Sequence, residues 1–372
     1  MNTQTIDPTQ GTANKHDTNA GSTLQQHAQE PFDAARYAVA DLHLHLDGSL
    51  SVDDVIHMAA IEGVELPADR DAIVQLMACP ENCESLNDYL ECFALPQNII
   101  QCRETIVYSM KSLLRRIDSQ GLVYAEIIFA PQQQILKGLT MEEATIAAID
   151  GLKSGMAESP GGIRSQILLT CMRGKDNDHM NMETIELAKE YLGKGVCGID
   201  LAGPESLIPT SHYRDTFAYA HRLGVPFTIH AGEADGVESI RHAVDYGARR
   251  IGHGIQCADD DDVKALLRER DICLTMCPTS NMQTKAFGKS ASLRQYPLRK
   301  ILDAGVPVCI NTDNMTVSGT TLAGELRKLY DAGVMTATQA KTMARNAINH
   351  AFIGEDEKAL LLRKARLDEP CE

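Results

Sequence analysis

The residues of this 372-residue chain best suited to chemistry begin in the stretch Asp41-Leu-His-Leu-His-Leu-Asp-Gly-Ser-Leu50. The stretch reads as a buried strand ending in a turn, with His43, His45 and Asp47 at every second position. Strand side chains alternate faces, so these three point the same way, about 7 Å from one to the next. Two imidazoles on one face at a strand's end make half of a zinc site. Two histidines hydrogen-bonded at a strand edge would explain the pair equally well, so the residues further along must decide. His230 and Asp313 bring a third imidazole and a carboxylate, both suited to zinc. Three histidines and one aspartate leave a position for water, whose pKa falls to about 7 on the metal. Glu233 lies three residues past His230 on a glycine-containing turn, and His253 follows in Arg-Ile-Gly-His-Gly. One of the two can serve as an acid while the other orients hydroxide or stabilises developing charge. Together the set meets the requirements of metal-assisted hydrolysis. A second metal would want a bridging lysine or carboxylate; after Asp200 the chain offers Ala202-Gly203-Pro204 and no lysine, so one metal is expected. The His-x-Glu with Pro-Cys-x-x-Cys pattern of another class of zinc enzyme is absent.

Something must bring residues 43 and 313 together. Short apolar runs recur between helical segments: after the opening strand they fall at 122–131, 163–171, 196–203, 226–230, 250–253, 272–277 and 306–313. Eight strands alternating with helices predict a (β/α)8 barrel. A doubly wound sheet would want a glycine-rich phosphate turn after an early strand, and none is present. In a barrel, His43, His45, Gly203, His230, His253 and Asp313 all fall at or just past the C-terminal ends of strands, where barrel enzymes place their chemistry. The helical stretch from Ser51 to about Ile99 is an insertion placed to act as a lid, and extra helices fill the chain to about Leu367.

Composition sets the outer limits. Thirty-five basic against fifty-one acidic residues give a net charge of −16, which argues against nucleic acid and anionic membranes as partners. No run of eighteen apolar residues suits a membrane span, and the start lacks a secretory signal. Eleven scattered cysteines read as reduced thiols, giving a cytoplasmic expectation; Cys79 and Cys83 read as two loop thiols. Residues 1–36, rich in Thr, Gln, Asn and Ser, are expected to form a disordered tail, with the barrel domain at 37–372.

The ordered set His43-x-His45-x-Asp47-Gly48, Asp200-Leu-Ala-Gly203, His230-Ala-Gly-Glu233, Gly252-His253-Gly254, Cys277-Pro-x-Ser280-Asn281 and Asn311-Thr-Asp313 resembles the adenosine deaminase family, over about Val39 to Phe352. The resemblance implies one zinc ion held by His43, His45, His230 and Asp313. It implies that Glu233 protonates purine N1 and that His253, with Asp313, orients the hydroxide attacking C6. Gly203 would contact N3 through its backbone, Asp47 would face the ribose 5′-hydroxyl, and His45 and Asn314 would also border the substrate. A carboxylate at the 5′ end repels phosphate, so the resemblance favours adenosine and 2′-deoxyadenosine over AMP, with inosine and ammonia as products, in purine salvage. Rival substrates are adenine, aminofutalosine and N6-methyl-AMP; a non-catalytic nucleoside-binding barrel is the reading from another class. The chain departs from the family pattern at Asn314, where an aspartate is usual, at Ile127 for an arginine, and at Gln133 and Gln134 for a histidine. An asparagine amide can donate to N7 directly, without sharing a proton; the other changes are expected to alter the pocket rim.

Overall fold

Eight short parallel strands, buried on both faces, form the centre of the computed structural model, which describes residues 32–368. They are β1 (Ala40–His45), β2 (Tyr124–Phe129), β3 (Arg164–Met172), β4 (Val196–Ala202), β5 (Thr228–Ala231), β6 (Arg250–His253), β7 (Cys273–Met276) and β8 (Val308–Ile310). Their sequences are runs of Ile, Leu, Val, Ala and Cys because helices cover the outer face and side chains fill the inner one. Each strand pairs with its sequence neighbour from β1 to β4 and from β5 to β8. Two bridges join the halves. Ile199 meets Phe227 between β4 and β5, and Leu44 meets Asp313, just past β8. The sheet therefore closes into the expected (β/α)8 barrel.

The second seam matters for function. Asp313 N–H donates to the His43 carbonyl at 2.9 Å, and His45 N–H donates to the Asp313 carbonyl at 2.8 Å. Closure of the barrel thus sets the carboxylate beside both imidazoles, although 270 or so residues separate them in the chain. At the opposite end of the strands, Arg250 and Glu126, both fully buried, form an ion pair. Tyr124 Oη donates to Glu126 at 3.1 Å, and Arg250 donates to the His350 carbonyl at 2.8 Å while its guanidinium lies 3.8 Å over the Phe352 ring. Each charge is desolvated but hydrogen-bonded, the condition under which such a pair is tolerated.

The insertion after β1 comprises the helices Val52–Glu62, Arg70–Met77, Leu86–Leu90 and Ala94–Ile99, with a tight turn at Glu91–Phe93. Its first helix starts on a capping box: Asp54 N–H donates to Ser51 Oγ at 3.1 Å, and Ser51 N–H returns to Asp54 Oδ2 at 2.8 Å. Leu86, Tyr89, Cys92 and Phe93 pack with Val317 and lean over the C-terminal mouth of the barrel. Three helices close the described chain, Leu322–Asp331, Ala337–Asn349 and Glu355–Lys364; the last two contribute Ala344, Ala347, Ile348 and Leu361 to a core with Val39, Ala40 and Leu42.

Three details differ from the expectations. The strand ends at His45, and Asp47 opens a short 3-10 turn instead of continuing the alternation. The two helices Arg70–Met77 and Ala94–Ile99 were not anticipated as separate elements. Within 32–36, Phe32 and Ala34 are buried against the domain, and Phe32 stacks on Tyr330 with ring centroids 4.2 Å apart. The remainder of the expected tail, 1–31, lies outside the described residues.

Candidate active site

The site lies in a cavity of about 380 Å³ at the C-terminal mouth. Its floor is a cluster of four buried donors, one atom each from His43, His230, His253 and Asp313, all within 4.8 Å of one another. His45 joins them, with Nε2 3.2 Å from His230 Nε2 and 3.4 Å from Asp313 Oδ1. His43 Nε2 lies 3.5 Å from the same carboxylate oxygen and has no hydrogen-bond partner among the described residues. An orphaned, buried imidazole nitrogen facing a carboxylate and two more imidazoles is what a metal would satisfy. Four nitrogen and oxygen donors with no thiolate among them suit zinc.

The far side of each ring is also held. His230 Nδ1 lies 3.1 Å from Asp200 Oδ1, and His43 Nδ1 lies 3.0 Å from Thr275 Oγ1. Such outer contacts fix ring orientation and raise ligand basicity. Burial, with the nearby charge of His230, lowers His43 to about 4, and burial lowers His45. Both rings are therefore neutral and keep a lone pair. Burial opposes charge on His230, but Asp200 outweighs it and raises that ring to about 9. Burial would raise Asp313, yet His43, followed by His253 and His45, holds it well below the usual carboxylate range. His253 and Asp313 both adopt left-handed backbone, φ 61° and 60°. That conformation costs a non-glycine residue about 1–3 kcal/mol and concentrates at working sites.

Glu233 stands across from the cluster, with Oε2 3.5 Å from His253 Nε2. Burial, then the charge of Asp313, raises its carboxyl to about 8 despite His230, and Glu205 adds to the rise. It is a protonated acid at neutral pH. Its loop is strung on Glu205, whose carboxylate accepts the backbone N–H groups of Gly232, Glu233, Ala234 and Asp235 at 2.7–3.2 Å. Around the rest of the cavity stand Asp47, Gly203, Asn314, Gln133 and Arg173, with Leu86, Tyr89 and Phe93 from the insertion. Gly203 has φ 110°, and a Cβ there would approach Arg173 Cβ at 3.2 Å, so glycine alone fits both backbone and space. A Cβ on Gly48 would fall 1.8 Å from Asn314 Oδ1, so this glycine makes room for the asparagine.

All nine residues singled out from the sequence border this one cavity or its floor. Ile127 does not; it packs in the outer hydrophobic core between strand and helices, and Gln134 is buried against Gln101. Of the three departures expected at the rim, only Gln133 lines it. Glu205, Thr275 and Asn281 were missed as supports. Each acts through a partner far away in sequence; Asn281 stood in the Cys277-Pro-x-Ser280-Asn281 motif without a role, and nothing in local spacing marks the other two.

A family model described as "Adenosine deaminase" matches residues 39–367. The chain belongs to the adenosine deaminase family. It is 46% identical over 332 residues to the adenosine deaminase of Haemophilus ducreyi, covering 88% of this chain and 95% of that protein. It is 39% identical over 324 residues to that of Enterococcus faecalis, covering 87% and 94%. Among solved structures, the adenine deaminase of Arthrobacter aurescens superposes with a TM-score of 0.78 at 26% identity, covering 88% of this chain and 98% of that one. Membership makes this member of the adenosine deaminase family a hydrolytic deaminase, and the geometry can be read for how this chain would do that work.

Proposed function

We propose that this enzyme deaminates adenosine and 2′-deoxyadenosine to the 6-oxo nucleosides and ammonia, with one zinc ion per chain. The observation that carries the reading is the facing pair of the donor cluster and Glu233, an acid protonated up to about pH 8. His43, His45, His230 and Asp313 are assigned to the metal. When bound, zinc supplies the Lewis acidity that makes water a nucleophile at neutral pH.

The protein side chains do the rest. Glu233 gives its proton to N1, which withdraws electron density from C6 and opens it to attack. His253 and Asp313 hold the attacking oxygen against C6 by hydrogen bonds. As C6 becomes tetrahedral, the attacking water gives up both its protons: one goes to the amino group, which departs as ammonia and restores the planar ring, and the other restores the Glu233 carboxyl. Gly203 offers its backbone N–H to N3, Asn314 donates an amide hydrogen to N7, and Asp47 accepts the ribose 5′-hydroxyl. The lid residues Leu86, Tyr89 and Phe93 cover the base and keep bulk water away.

The choice of nucleoside over nucleotide rests on charge. Asp47 is the group at the proposed 5′ end, and Arg173, the one arginine or lysine lining the cavity among the described residues, is already engaged. Its terminal nitrogens donate to the carbonyls of Ile208 and His230 at 2.8 and 2.7 Å and to Thr210 Oγ1 at 2.9 Å. A phosphate would meet a carboxylate, and both terminal guanidinium nitrogens already hold acceptors from the protein. Ammonia release from adenosine, 2′-deoxyadenosine, adenine, AMP and N6-methyl-AMP tests the assignment. The two nucleosides should lead, with AMP at least about 100-fold slower in kcat/KM, since unanswered like charge costs several kcal/mol. AMP or adenine turning over faster than adenosine would overturn it.

A further inference from the structure

The partner on the far side of each histidine decides what that ring presents to the site. His230 Nδ1 faces the acceptor Asp200 Oδ1. His43 Nδ1 faces Thr275 Oγ1, whose own hydrogen goes to the Ile251 carbonyl at 3.4 Å. Both rings, when neutral, therefore carry their hydrogen on Nδ1 and turn an Nε2 lone pair inward. His253 is the opposite case. Its Nδ1 lies 3.0 Å from Asn281 Nδ2, and the Tyr296 hydroxyl donates to Asn281 Oδ1 at 2.9 Å. That second bond settles which end of the amide is which. Reversing the amide would leave a buried O–H with no acceptor among the described residues. His253, Asn281 and Tyr296 are 1%, 0% and 3% exposed, so water does not compete for these contacts.

We propose that Asn281 and Tyr296 are positioning residues for the deamination: the amide, locked by the tyrosine hydroxyl, donates to His253 Nδ1 and holds that ring as the Nε2–H tautomer. His253 then enters the site as a hydrogen-bond donor and is barred from the metal, although its Nε2 lies within reach of the other ligands. The His253 Nε2 has no hydrogen-bond partner among the described residues, which leaves its hydrogen for the oxygen at C6. Neither Asn281 nor Tyr296 lines the cavity, so both act only through the ring. Asn281 is itself fixed on the short helix Pro278–Gln283, its N–H donating to the Cys277 carbonyl at 2.9 Å. The role assigned to the Nε2 hydrogen rests on the deaminase reading above; the tautomer does not.

The test is ¹⁵N–¹H correlation spectroscopy of the zinc-loaded, ¹⁵N-histidine-labelled protein without substrate, with His253 identified by its loss in His253→Asn. The parent should carry the His253 hydrogen on Nε2. Asn281→Asp, which replaces a donor with an acceptor, should move it to Nδ1. The same variant should keep its zinc and lower kcat about 100-fold or more, the scale of a lost proton-transfer or orienting group, with KM within about threefold. Tyr296→Phe, a gentler change, should give mixed tautomers and a smaller fall in kcat. A parent with the hydrogen on Nδ1 overturns the proposal, as does a reversed tautomer with kcat unchanged. Should Asn281→Asp not fold, an unaltered tautomer and kcat in Tyr296→Phe overturns it. Because the tautomer is read without turnover, a parent that shows Nε2–H but ignores adenosine would count against the substrate assignment alone.

Discussion

At the scale of single residues, the site separates neutral from charged groups by environment. Asp313 is surrounded by imidazoles and stays ionised, while Glu233 faces burial and two other carboxylates and stays protonated. Pairs pushed apart in this way divide acid from ligand or base. The sign of one term is testable. Glu205 raises the Glu233 carboxyl, so Glu205→Gln should lower it, and the acid form will be lost at a lower pH. The alkaline limb of the kcat/KM profile should move toward neutrality; a limb that stays put would contradict the role given to Glu205. Asn314 invites a second test. If its amide donates to N7, then Asn314→Ala and the substrate 7-deazaadenosine each lose the same contact, about 1–3 kcal/mol in kcat/KM. Combining variant and analogue should cost little more than either alone. Additive losses would place the amide elsewhere.

At the scale of elements, much of the architecture was legible because parallel strands buried on both faces spell themselves as apolar runs. The strand Arg250–His253 falls where the pattern put it. The last strand did not: 306–313 narrows to Val308–Ile310, because from Asn311 onward the backbone turns to bring Asp313 against β1. Asp47 left its strand for the same kind of reason, a turn at the mouth that aims a side chain. Phe32 was hidden among polar neighbours, and only the distant Tyr330 shows why it is buried. The supporting roles of Glu205, Thr275 and Asn281 were illegible because a carboxylate, hydroxyl or amide reads the same whether it faces water, a backbone N–H or a histidine. The Arg250–Glu126 pair belongs to this scale as well. Arg250→Met leaves a buried carboxylate unanswered and should destabilise the fold by about 3–5 kcal/mol in urea unfolding. A variant as stable as the parent would show that the pair contributes nothing the core cannot replace.

For the whole molecule, metal and fold are coupled. The ligands come from β1, β5 and the turn after β8, so one ion would tie both halves of the barrel across the seam that Asp313 closes. Zinc at about 1,000 times its dissociation constant should add about 4 kcal/mol to stability, read as a fall in Tm after chelation and recovery on adding zinc back. An unchanged Tm would separate the metal from the fold. The central claim is narrower: a donor cluster holding zinc faces a protonated Glu233 that gives N1 its proton. The most direct measurement is adenosine turnover, by loss of the adenine ultraviolet absorbance, in the parent and in Glu233→Gln with zinc content determined on the same samples. The account predicts rapid turnover in the parent and a loss of about 100-fold or more in the variant with zinc retained. A zinc-loaded Glu233→Gln that deaminates adenosine at the parental rate would contradict it.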